Sequence, residues 1–292
     1  MRPVSLLFHD VYESDPRESG FRSPAADRYK LSVAQFEAQL DGLLELRIPL
    51  TPRSWSEGGS PESRLSTLRQ AQGGPEGGRA TTGSGRPETL EERIPVVLTV
   101  DDGGASYYTA IAHRLEALGL RAHCFVSTDY IGERGFLTPQ QIRDLDARGH
   151  TIGTHSASHP ARFSTLTTSD MRREWSDSRQ RLEDILNHAV TVGSVPGGYF
   201  SLAVAEAAAH AGLRTLYTSE PTTRSSMSAG LRVVGRFTIR RGHPRDMARR
   251  FASVAPWARC GAWVGWNAKA LVKPVLGASY SRVADWILEP NR

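Results

Sequence analysis

Short apolar runs alternate with amphipathic stretches over most of the chain. Residues 4–8 are typical of a buried strand, and from about residue 94 similar runs return at intervals. Each later run is followed by apolar residues at helical spacing or by an Ala-rich stretch. This alternation predicts a parallel sheet wrapped by helices, which is the α/β fold class.

Residues that typically begin or end helices and turns locate most of these elements. Ser32 is a suitable N-cap for a helix through residue 47, and a helix between Thr138 and Gly149 has Pro139 in its first turn. A polar loop is expected from the first strand to Lys30. The predicted strands are 94–100, 121–126, 150–154, 190–195 and 213–218; the other predicted helices are 106–118, 169–186 and the Ala-rich run to residue 210; further β/α units are expected at 231–239 and beyond.

One segment breaks the alternation. Residues 53–93 are rich in Gly, Ser, Pro, Thr, Glu and Arg and hold scarcely any large apolar side chain, so they cannot bury enough surface to offset ordering. We expect a disordered insertion there, or an ordinary long loop, and assign it no chemistry. The rest of residues 1–292 is predicted to be a single catalytic domain.

Composition bears on the cellular location of the protein. The 292 residues are 39% hydrophobic, contain no stretch long enough to span a membrane, and show no secretory signal. Two cysteines are too few for a disulfide framework. These features predict a cytoplasmic protein without a transmembrane segment.

The charge is positive and unevenly distributed. The formal net charge is +5, and residues 224–259 contain nine Arg against one acid, Asp246. A solvated basic face explains this run, although an anionic glycan, a phosphate-bearing carrier or peripheral contact with an anionic membrane stays open. Nucleic acid is not an expected partner, because no aromatic residues alternate with the arginines as a base-stacking surface requires.

The candidate chemistry begins where an apolar run ends. Residues 98–104 read Leu-Thr-Val-Asp-Asp-Gly-Gly, so Asp101 and Asp102 directly follow a predicted strand. In a parallel α/β sheet they would lie at the carboxyl edge, where such folds build their sites. One acid could bind a cation while the other faces a substrate. The alternative is a strand that ends in an Asp-Gly turn.

Two histidines follow the strand predicted over 150–154. His155 and His159 are four residues apart and could bind one ion within a turn of chain, or be two unrelated surface residues. Ser156 follows His155, so this is not the helical zinc-protease motif, which has Glu there. Together with Asp102 they offer two nitrogens and one oxygen and leave positions for water, as in catalytic metal sites.

These two segments carry a family resemblance. The strand ending in Thr-x-Asp-Asp-Gly, and the later His-Ser-x-x-His after a Gly-His-x-Ile-Gly strand, resemble the first two motifs of the polysaccharide deacetylase family, the NodB-homology or carbohydrate esterase 4-like family. The likeness covers about residues 94–220 and, more weakly, Leu7-Phe8-His9-Asp10. It implies a distorted (β/α) barrel with fewer than eight units, a divalent metal ion, most often Zn²⁺, and removal of acetyl groups from N-acetylated sugars.

The resemblance also implies residue roles. Asp101 matches the family's general base, and the family's metal ligands match Asp102, His155 and His159. The implied reaction uses the ion to activate water and Asp101 to take its proton, while a backbone N–H near Gly198 and Tyr199 stabilises the oxyanion.

The third motif is only partly present. Pro196, Gly197, Gly198 and Tyr199 occupy the place of the family's Arg-x-Pro-aromatic-Gly segment and are the predicted substrate-binding residues. Ser194 stands where the family usually has the arginine that holds the catalytic Asp, so the sequence leaves the orientation of Asp101 unexplained. A strand followed by a Gly-rich turn would have the same pattern.

Two histidines are candidates for the acid that protonates the leaving amine. The family often supplies a His after an apolar strand near the C-terminus, and His243 follows the apolar stretch 233–239. Related enzymes also often carry an aromatic-His pair at the end of the first strand, as His9 does here. A capping or loop residue is the structural alternative for His9.

The sequence therefore predicts a metal-dependent hydrolase acting on N-acetylated sugars of a polysaccharide or a lipid-linked glycan. Two alternatives remain. The metal site could serve another amide or ester, because a fold and an ion do not determine the substrate. The chain could also be a catalytically weak glycan-binding protein, given the missing arginine and the unassigned acid.

Overall fold

The computed structural model describes residues 3–46, 95–253 and 257–276. The predicted insertion at 53–93 lies outside the described residues, as does the end of the chain. Within the described ranges no helix combines the length and the hydropathy needed to cross a bilayer.

The described elements follow the predicted alternation within a few residues at each boundary. The strands are β1 (Val4–Phe8), β2 (Val11–Tyr12), β3 (Leu31–Ser32), β4 (Val96–Val100), β5 (His123–Val126), β6 (Thr151–Thr154), β7 (Val192–Ser194), β8 (Thr215–Tyr217), β9 (Ser225–Ser228), β10 (Leu231–Val234) and β11 (Phe237–Thr238). The α-helices are α1 (Pro24–Asp27), α2 (Val33–Glu45), α3 (Ala112–Ala117), α4 (Pro139–Ala147), α5 (Thr168–Leu186), α6 (Leu202–His210), α7 (Met247–Ala252) and α8 (Trp257–Leu276).

One curled sheet organises the described residues. Its strand order is β11-β1-β4-β5-β6-β7-β8-β10-β9, and every neighbouring pair is parallel except β10 with β9. Fewer than eight of these strands lead into a helix, and the two edges do not pair with each other in the described part of the chain. The predicted distorted barrel with fewer than eight units is confirmed.

The parallel register fixes where the site can form. β1 and β4 pair over their whole length, with Phe8 opposite Val100, and β5 and β6 pair with Val126 opposite Thr154. Because these strands all run in the same direction, the residues that follow them meet at one edge. His9, Asp101 and His155 each directly follow one of these strands.

Helix α5 supports the strand that leads to His155. It begins at the N-cap Thr167 and buries an apolar stripe that includes Trp175, which is fully buried. From the same face the Ser178 hydroxyl lies 2.5 Å from the Thr154 hydroxyl in a buried hydrogen bond. This bond ties the end of β6 to the helix behind it.

The helix predicted over 106–118 is present but is not α-helical throughout. Tyr107–Ile111 is a π-helix, and regular α-helix begins only at Ala112. Sequence periodicity does not separate the two helix types at this length, whereas π-segments are frequent near functional sites. This one directly follows the Asp-Asp-Gly-Gly turn.

The loop before Lys30 is more ordered than the sequence predicted. Lys30 is buried, and its ammonium donates to the carbonyl oxygens of Pro16, Ser19 and Phe21 at 2.6, 2.8 and 2.6 Å. A polar, Gly- and Pro-containing sequence does not reveal these hydrogen bonds, because the Lys30 donor lies 9 to 14 residues away from its acceptors.

We predict that Gly153→Ala destabilises the protein. The added methyl would lie 2.6 Å from two ring carbons of Phe125 and 2.8 Å from Val192 Cγ2, so the core next to His155 would be overpacked. The expected loss is about 1–3 kcal/mol of unfolding free energy, measured by urea denaturation. Gly261→Ala is the control, because nothing lies within 4 Å of the methyl that it adds in α8. An equal loss in both variants would contradict the packing argument.

Candidate metal centre and active site

Asp102, His155 and His159 converge at the carboxyl edge of the sheet. Asp102 Oδ1 lies 3.5 Å from Nε2 of each histidine, and one donor atom from each of the three residues lies within 4.8 Å of the others. Asp102 and His155 are buried, while the His159 side chain is about one quarter exposed. The three residues therefore form a compact group that opens on one side.

The spacing of these atoms fits a divalent ion. In a tetrahedral site with bonds of about 2.1 Å, ligand atoms are separated by about 3.4 Å. The two Asp102–imidazole distances of 3.5 Å match that separation. A carboxylate and two imidazoles are a donor set that zinc and similar ions accept, so these residues can hold one ion.

The backbone is strained where these ligands are held. Asp102, Ser156 and His159 have φ values of +79°, +66° and +54°, a left-handed region that residues other than glycine rarely adopt. Glu174, from α5, compensates by accepting hydrogen bonds from the N–H groups of Ala157 and Ser158 at 3.0 and 2.9 Å. The loop between the histidines is thereby fixed in the conformation that directs both rings to Asp102.

A second contact orients the His155 ring. His155 Nδ1 lies 2.9 Å from the Ser194 carbonyl oxygen, which can only accept, so Nδ1 is the donor. The Nε2 lone pair is therefore left for an ion. Ser194 ends β7, the neighbour of β6, so sheet register sets the tautomer of the ligand.

Asp101 is held by an arginine from a distant part of the chain. Both carboxylate oxygens accept from the Arg236 guanidinium at 2.7 Å, and the Ser194 hydroxyl donates to Oδ2 at 3.0 Å. Arg236 is fully buried and also donates to Thr99 Oγ1 and to the Thr218 carbonyl oxygen. The arginine missing at position 194 is thus supplied from the segment after β10, and the serine in its place joins the same network.

Sequence reasoning missed Arg236 and assigned its region to a solvated basic face. That assignment is wrong for this residue, because its side chain is 0% exposed. Gly235 precedes Arg236, and a Cβ at Gly235 would lie 2.5 Å from the Glu220 carbonyl oxygen. This close packing is visible only in the structure, so the sequence held no local signal that Arg236 is buried.

The charges of the two aspartates follow from these contacts. Burial tends to raise the pKa of Asp101, but the Arg236 guanidinium and then His155 outweigh it, so the pKa lies below its ordinary value. Burial also opposes ionisation of Asp102, but the neighbouring imidazoles, first His155 and then His9, hold its pKa below the ordinary value as well. Both side chains are therefore carboxylates at neutral pH.

The two candidate acids lie in different places. His9 is within the electrostatic reach of Asp102 and Asp101, its Nδ1 is buried without a hydrogen-bond partner among the described residues, and burial lowers its pKa. His243 packs edge-on against Phe251 at 6.4 Å, and burial followed by Arg240 lowers its pKa to about 4. The structure brings His9 to the site and shows no contact of His243 with it in the described ranges.

The predicted substrate segment forms a tight turn beside Ser194. Gly197 and Gly198 have φ values of +61° and +69°, which explains the two glycines, and Trp266 of α8 lies against Gly198. The Gly198 N–H donates to the Val195 carbonyl oxygen at 3.3 Å, and the Tyr199 N–H donates to that of Pro196 at 3.5 Å. The Tyr199 N–H therefore already has an acceptor. An oxyanion bound there would have to replace this long hydrogen bond.

Comparison with known sequences agrees with this geometry. Residues 90–216 match the family described as Polysaccharide deacetylase. YxkH of Bacillus subtilis, which is named as a polysaccharide deacetylase, is 27% identical over 130 residues, covering 44% of this chain and 46% of that protein. YheN of the same organism, named likewise, is 25% identical over 103 residues, covering 35% of each chain. The chain thus spans less than half the length of these curated relatives.

Solved structures share the fold over more of the chain. The Streptococcus pyogenes deacetylase PplD superposes with a TM-score of 0.61 at 18% identity, covering 87% of this chain and 99% of that one. IcaB from Ammonifex degensii superposes with a TM-score of 0.58 at 17% identity, covering 90% and 96%. At these identities the structures establish the fold alone, and the family match covers residues 90–216, which are less than half of the chain. Residues 90–216 of this chain are a domain of the polysaccharide deacetylase family.

Proposed function

We propose that this protein is a metal-dependent hydrolase that removes acetyl groups from N-acetylated sugars of a polysaccharide or a lipid-linked glycan. The observation that carries the proposal is the Asp102–His155–His159 group with the ion-paired Asp101 next to it in sequence. PplD, which shares the fold, was solved in complex with acetate, the product that this reaction would release.

Asp102, His155 and His159 would hold the ion. When bound there, a divalent ion would supply water of lowered pKa and a Lewis acid for an acetamide carbonyl. Asp101 is the base in this proposal: its Oδ2 lies 3.8 Å from His155 Nε2, so a water beside the ligands is within its reach. The pair with Arg236 keeps Asp101 ionised until it takes the proton.

His9 is our proposed proton donor to the leaving amine. It follows β1, the neighbour of β4, and it faces the same carboxylates as the ion. Burial lowers its pKa, which makes the ring a stronger acid once it carries a proton. Tyr199 and the Pro196–Gly198 turn follow β7, which is four strands from β1 in the sheet, and are proposed to line the sugar site.

The choice of zinc, cytoplasmic location, the single-domain organisation and peripheral contact with an anionic membrane or a phosphate-bearing carrier stay predictions from the sequence. The same applies to the absence of nucleic acid among the partners.

We predict that the purified protein binds about one divalent ion per chain and releases acetate from tetra-N-acetylchitotetraose. Metal analysis and an enzymatic acetate assay measure the two properties separately. An ion without acetate release from acetylated glycans would favour either an amide or ester hydrolase with another substrate or the glycan-binding alternative, and no ion would favour the glycan-binding alternative.

Variants of the acidic pair separate ion binding from proton transfer. Asp102→Ala and His159→Ala are expected to lose the ion, whereas Asp101→Asn keeps it and loses turnover by several orders of magnitude. His113→Ala, at an exposed histidine, is the control and keeps both. Equal metal loss in the Asp101 and Asp102 variants would mean that the two roles are misassigned.

We expect Arg236→Met to abolish turnover and to destabilise the fold by about 3–5 kcal/mol, because a buried carboxylate would lose its partner. Arg236→Lys keeps the charge but not the two parallel hydrogen bonds, so kcat should fall while KM and metal content stay unchanged. Arg232→Met, at an exposed arginine of β10, the strand before Arg236, is the control. Normal kcat in Arg236→Lys would show that orientation of Asp101 does not depend on this pair.

The two candidate acids can be distinguished directly. His9→Gln should reduce kcat by about a hundred- to ten-thousand-fold, since it removes a general acid, while His243→Gln should keep kcat near the wild-type value. Steady-state acetate release from the two metal-loaded variants measures this. The reverse order of effects would transfer the role to His243.

A further inference from the structure

One side of helix α8 is apolar and faces solvent. It comprises Trp257, Cys260, Gly261, Trp263 and Val264, all of them exposed. The two tryptophans are 82% and 53% exposed and Val264 is 56% exposed. Positions 257, 260, 261 and 264 follow helical spacing and Trp263 borders them, so the five residues share one face. None of them carries a charge, and we call this surface the tryptophan face.

The opposite side of α8 packs on the domain. Ala258 and Ala262 lie against the main hydrophobic core, and the Trp266 ring lies against the turn at Gly198. These three positions of α8 are four residues apart, so they form a second stripe on the helix. The tryptophan face therefore points away from the domain.

The exposed tryptophan surface has the size and the chemistry of a contact surface. An aromatic side chain offers about 150–250 Å², so two tryptophans at these exposed fractions present roughly 200–340 Å². Contiguous apolar patches of a few hundred Å² on soluble proteins often mark interaction sites. Tryptophan is also enriched where a bilayer meets water, because its ring is apolar and its indole N–H is polar.

The sequence around the tryptophan face is strongly basic. Residues 245–259 contain four Arg and one acid, and residues 247–284 contain four Arg and two Lys but no Asp or Glu. A basic stretch that carries tryptophans and lacks acids is typical of a helix that lies on the surface of an anionic membrane. The composition therefore indicates an anionic partner for this face.

Two arginines of α7 lie beside Trp257. Arg249, Arg250 and Trp257 line one open groove of about 530 Å³, together with Asp246. Asp246 pairs with Arg249 at 3.2 Å and with Arg250 at 2.8 Å, and Glu45 lies 3.8 Å from Arg249. The four arginines of residues 245–259 thus face two carboxylates, which leaves a formal excess of two positive charges.

Hydrogen bonds hold the groove and the tryptophan face in a fixed relation. The Arg259 guanidinium, near the start of α8, donates to the carbonyl oxygens of Phe251 and Ser253 at 2.7 and 2.8 Å. Both acceptors lie at the end of α7, so the two helices are joined at this point. The apolar and the basic parts of the surface are therefore preorganised, which lowers the entropic cost of binding.

We propose that the tryptophan face and the adjoining arginines bind the surface of a lipid bilayer that contains anionic phospholipids. The indole rings would enter the headgroup region, and the guanidinium groups would pair with lipid phosphates. A second copy of this chain would bring a patch of the same positive sign, whereas anionic headgroups offer the opposite charge. This inference goes beyond the proposed function and does not depend on it, because binding is measured without turnover.

The first test measures flotation of the whole 292-residue chain with lipid vesicles. We expect binding to vesicles of phosphatidylcholine and phosphatidylglycerol in equal parts, and much weaker binding to pure phosphatidylcholine. Trp257→Ser combined with Trp263→Ser should weaken binding by roughly tenfold or more. Met227→Ser, which removes a 67% exposed apolar side chain from β9, is the control. All three side chains are exposed, so the unfolding midpoints should stay unchanged.

The second test concerns the charge of the surface. Arg250→Gln should weaken binding to the mixed vesicles by about fivefold, since each basic side chain near an anionic surface contributes separately. Arg173→Gln is the matched control, because Arg173 is also an exposed arginine that pairs with one aspartate of its own helix, α5. Added salt should weaken wild-type binding and reduce the difference between wild type and Arg250→Gln.

The outcomes distinguish a membrane from other occupants of this face. Unchanged binding in the tryptophan double variant and in Arg250→Gln would overturn the proposal, as would equal wild-type binding to the two kinds of vesicle. No vesicle binding, together with dimerisation that the tryptophan variant loses in analytical ultracentrifugation, would overturn it in favour of a second copy. A monomer that binds no vesicles would overturn it as well. The proposed deacetylation is measured separately, as acetate release, and stands or falls independently.

Discussion

The site depends on the placement of one carboxylate between two imidazoles in a mostly buried space. Asp102 Oδ1 lies 3.5 Å from both Nε2 atoms, and one of those imidazoles already uses its other nitrogen as a donor to the Ser194 carbonyl oxygen. Lone pairs directed at one point in a low-dielectric setting repel each other unless a cation lies between them. The strained φ angles are the structural cost of holding that arrangement, and the hydrogen bonds that Glu174 accepts offset part of it.

The adjacent Asp101 belongs to a different environment although it is the next residue. A fully buried guanidinium and a serine hydroxyl contact its carboxylate. The Arg236 guanidinium in turn lies 5.6 Å from the Phe125 ring and 5.8 Å from the Tyr217 ring. A planar, always charged donor suits this position because it bonds both oxygens and resists deprotonation when buried. Two neighbouring carboxylates thus have different surroundings, since one faces the imidazoles and the other faces the arginine.

The sequence predicted the parts of the site that depend on local order. Asp101 and His155 directly follow strands, and Asp102 and His159 lie one and four residues further along. Parallel strands bring such positions to one edge whatever the details of packing. Arg236 could not be found in the same way, because it lies 135 residues from Asp101 and follows a short strand in an arginine-rich segment. Tertiary contact alone distinguishes it from its exposed neighbour Arg232.

The loop before Lys30 shows the same limit. Its polar composition predicted an ordinary connection, yet a buried lysine and a backbone bond to Gly135 hold it against the site. His9 and His243 were equivalent candidates in sequence, and only the sheet register placed one near the carboxylates and the other beside Phe251. Long-range contacts thus determined what local patterns left open.

The most direct test of the account is X-ray absorption at the zinc K-edge on the zinc-loaded protein. The arrangement of Asp102, His155 and His159 predicts a first shell of two imidazole nitrogens and oxygen donors at about 2.0–2.2 Å. A sulfur shell at about 2.3 Å, or a shell of oxygen alone as in aqueous zinc, would contradict it.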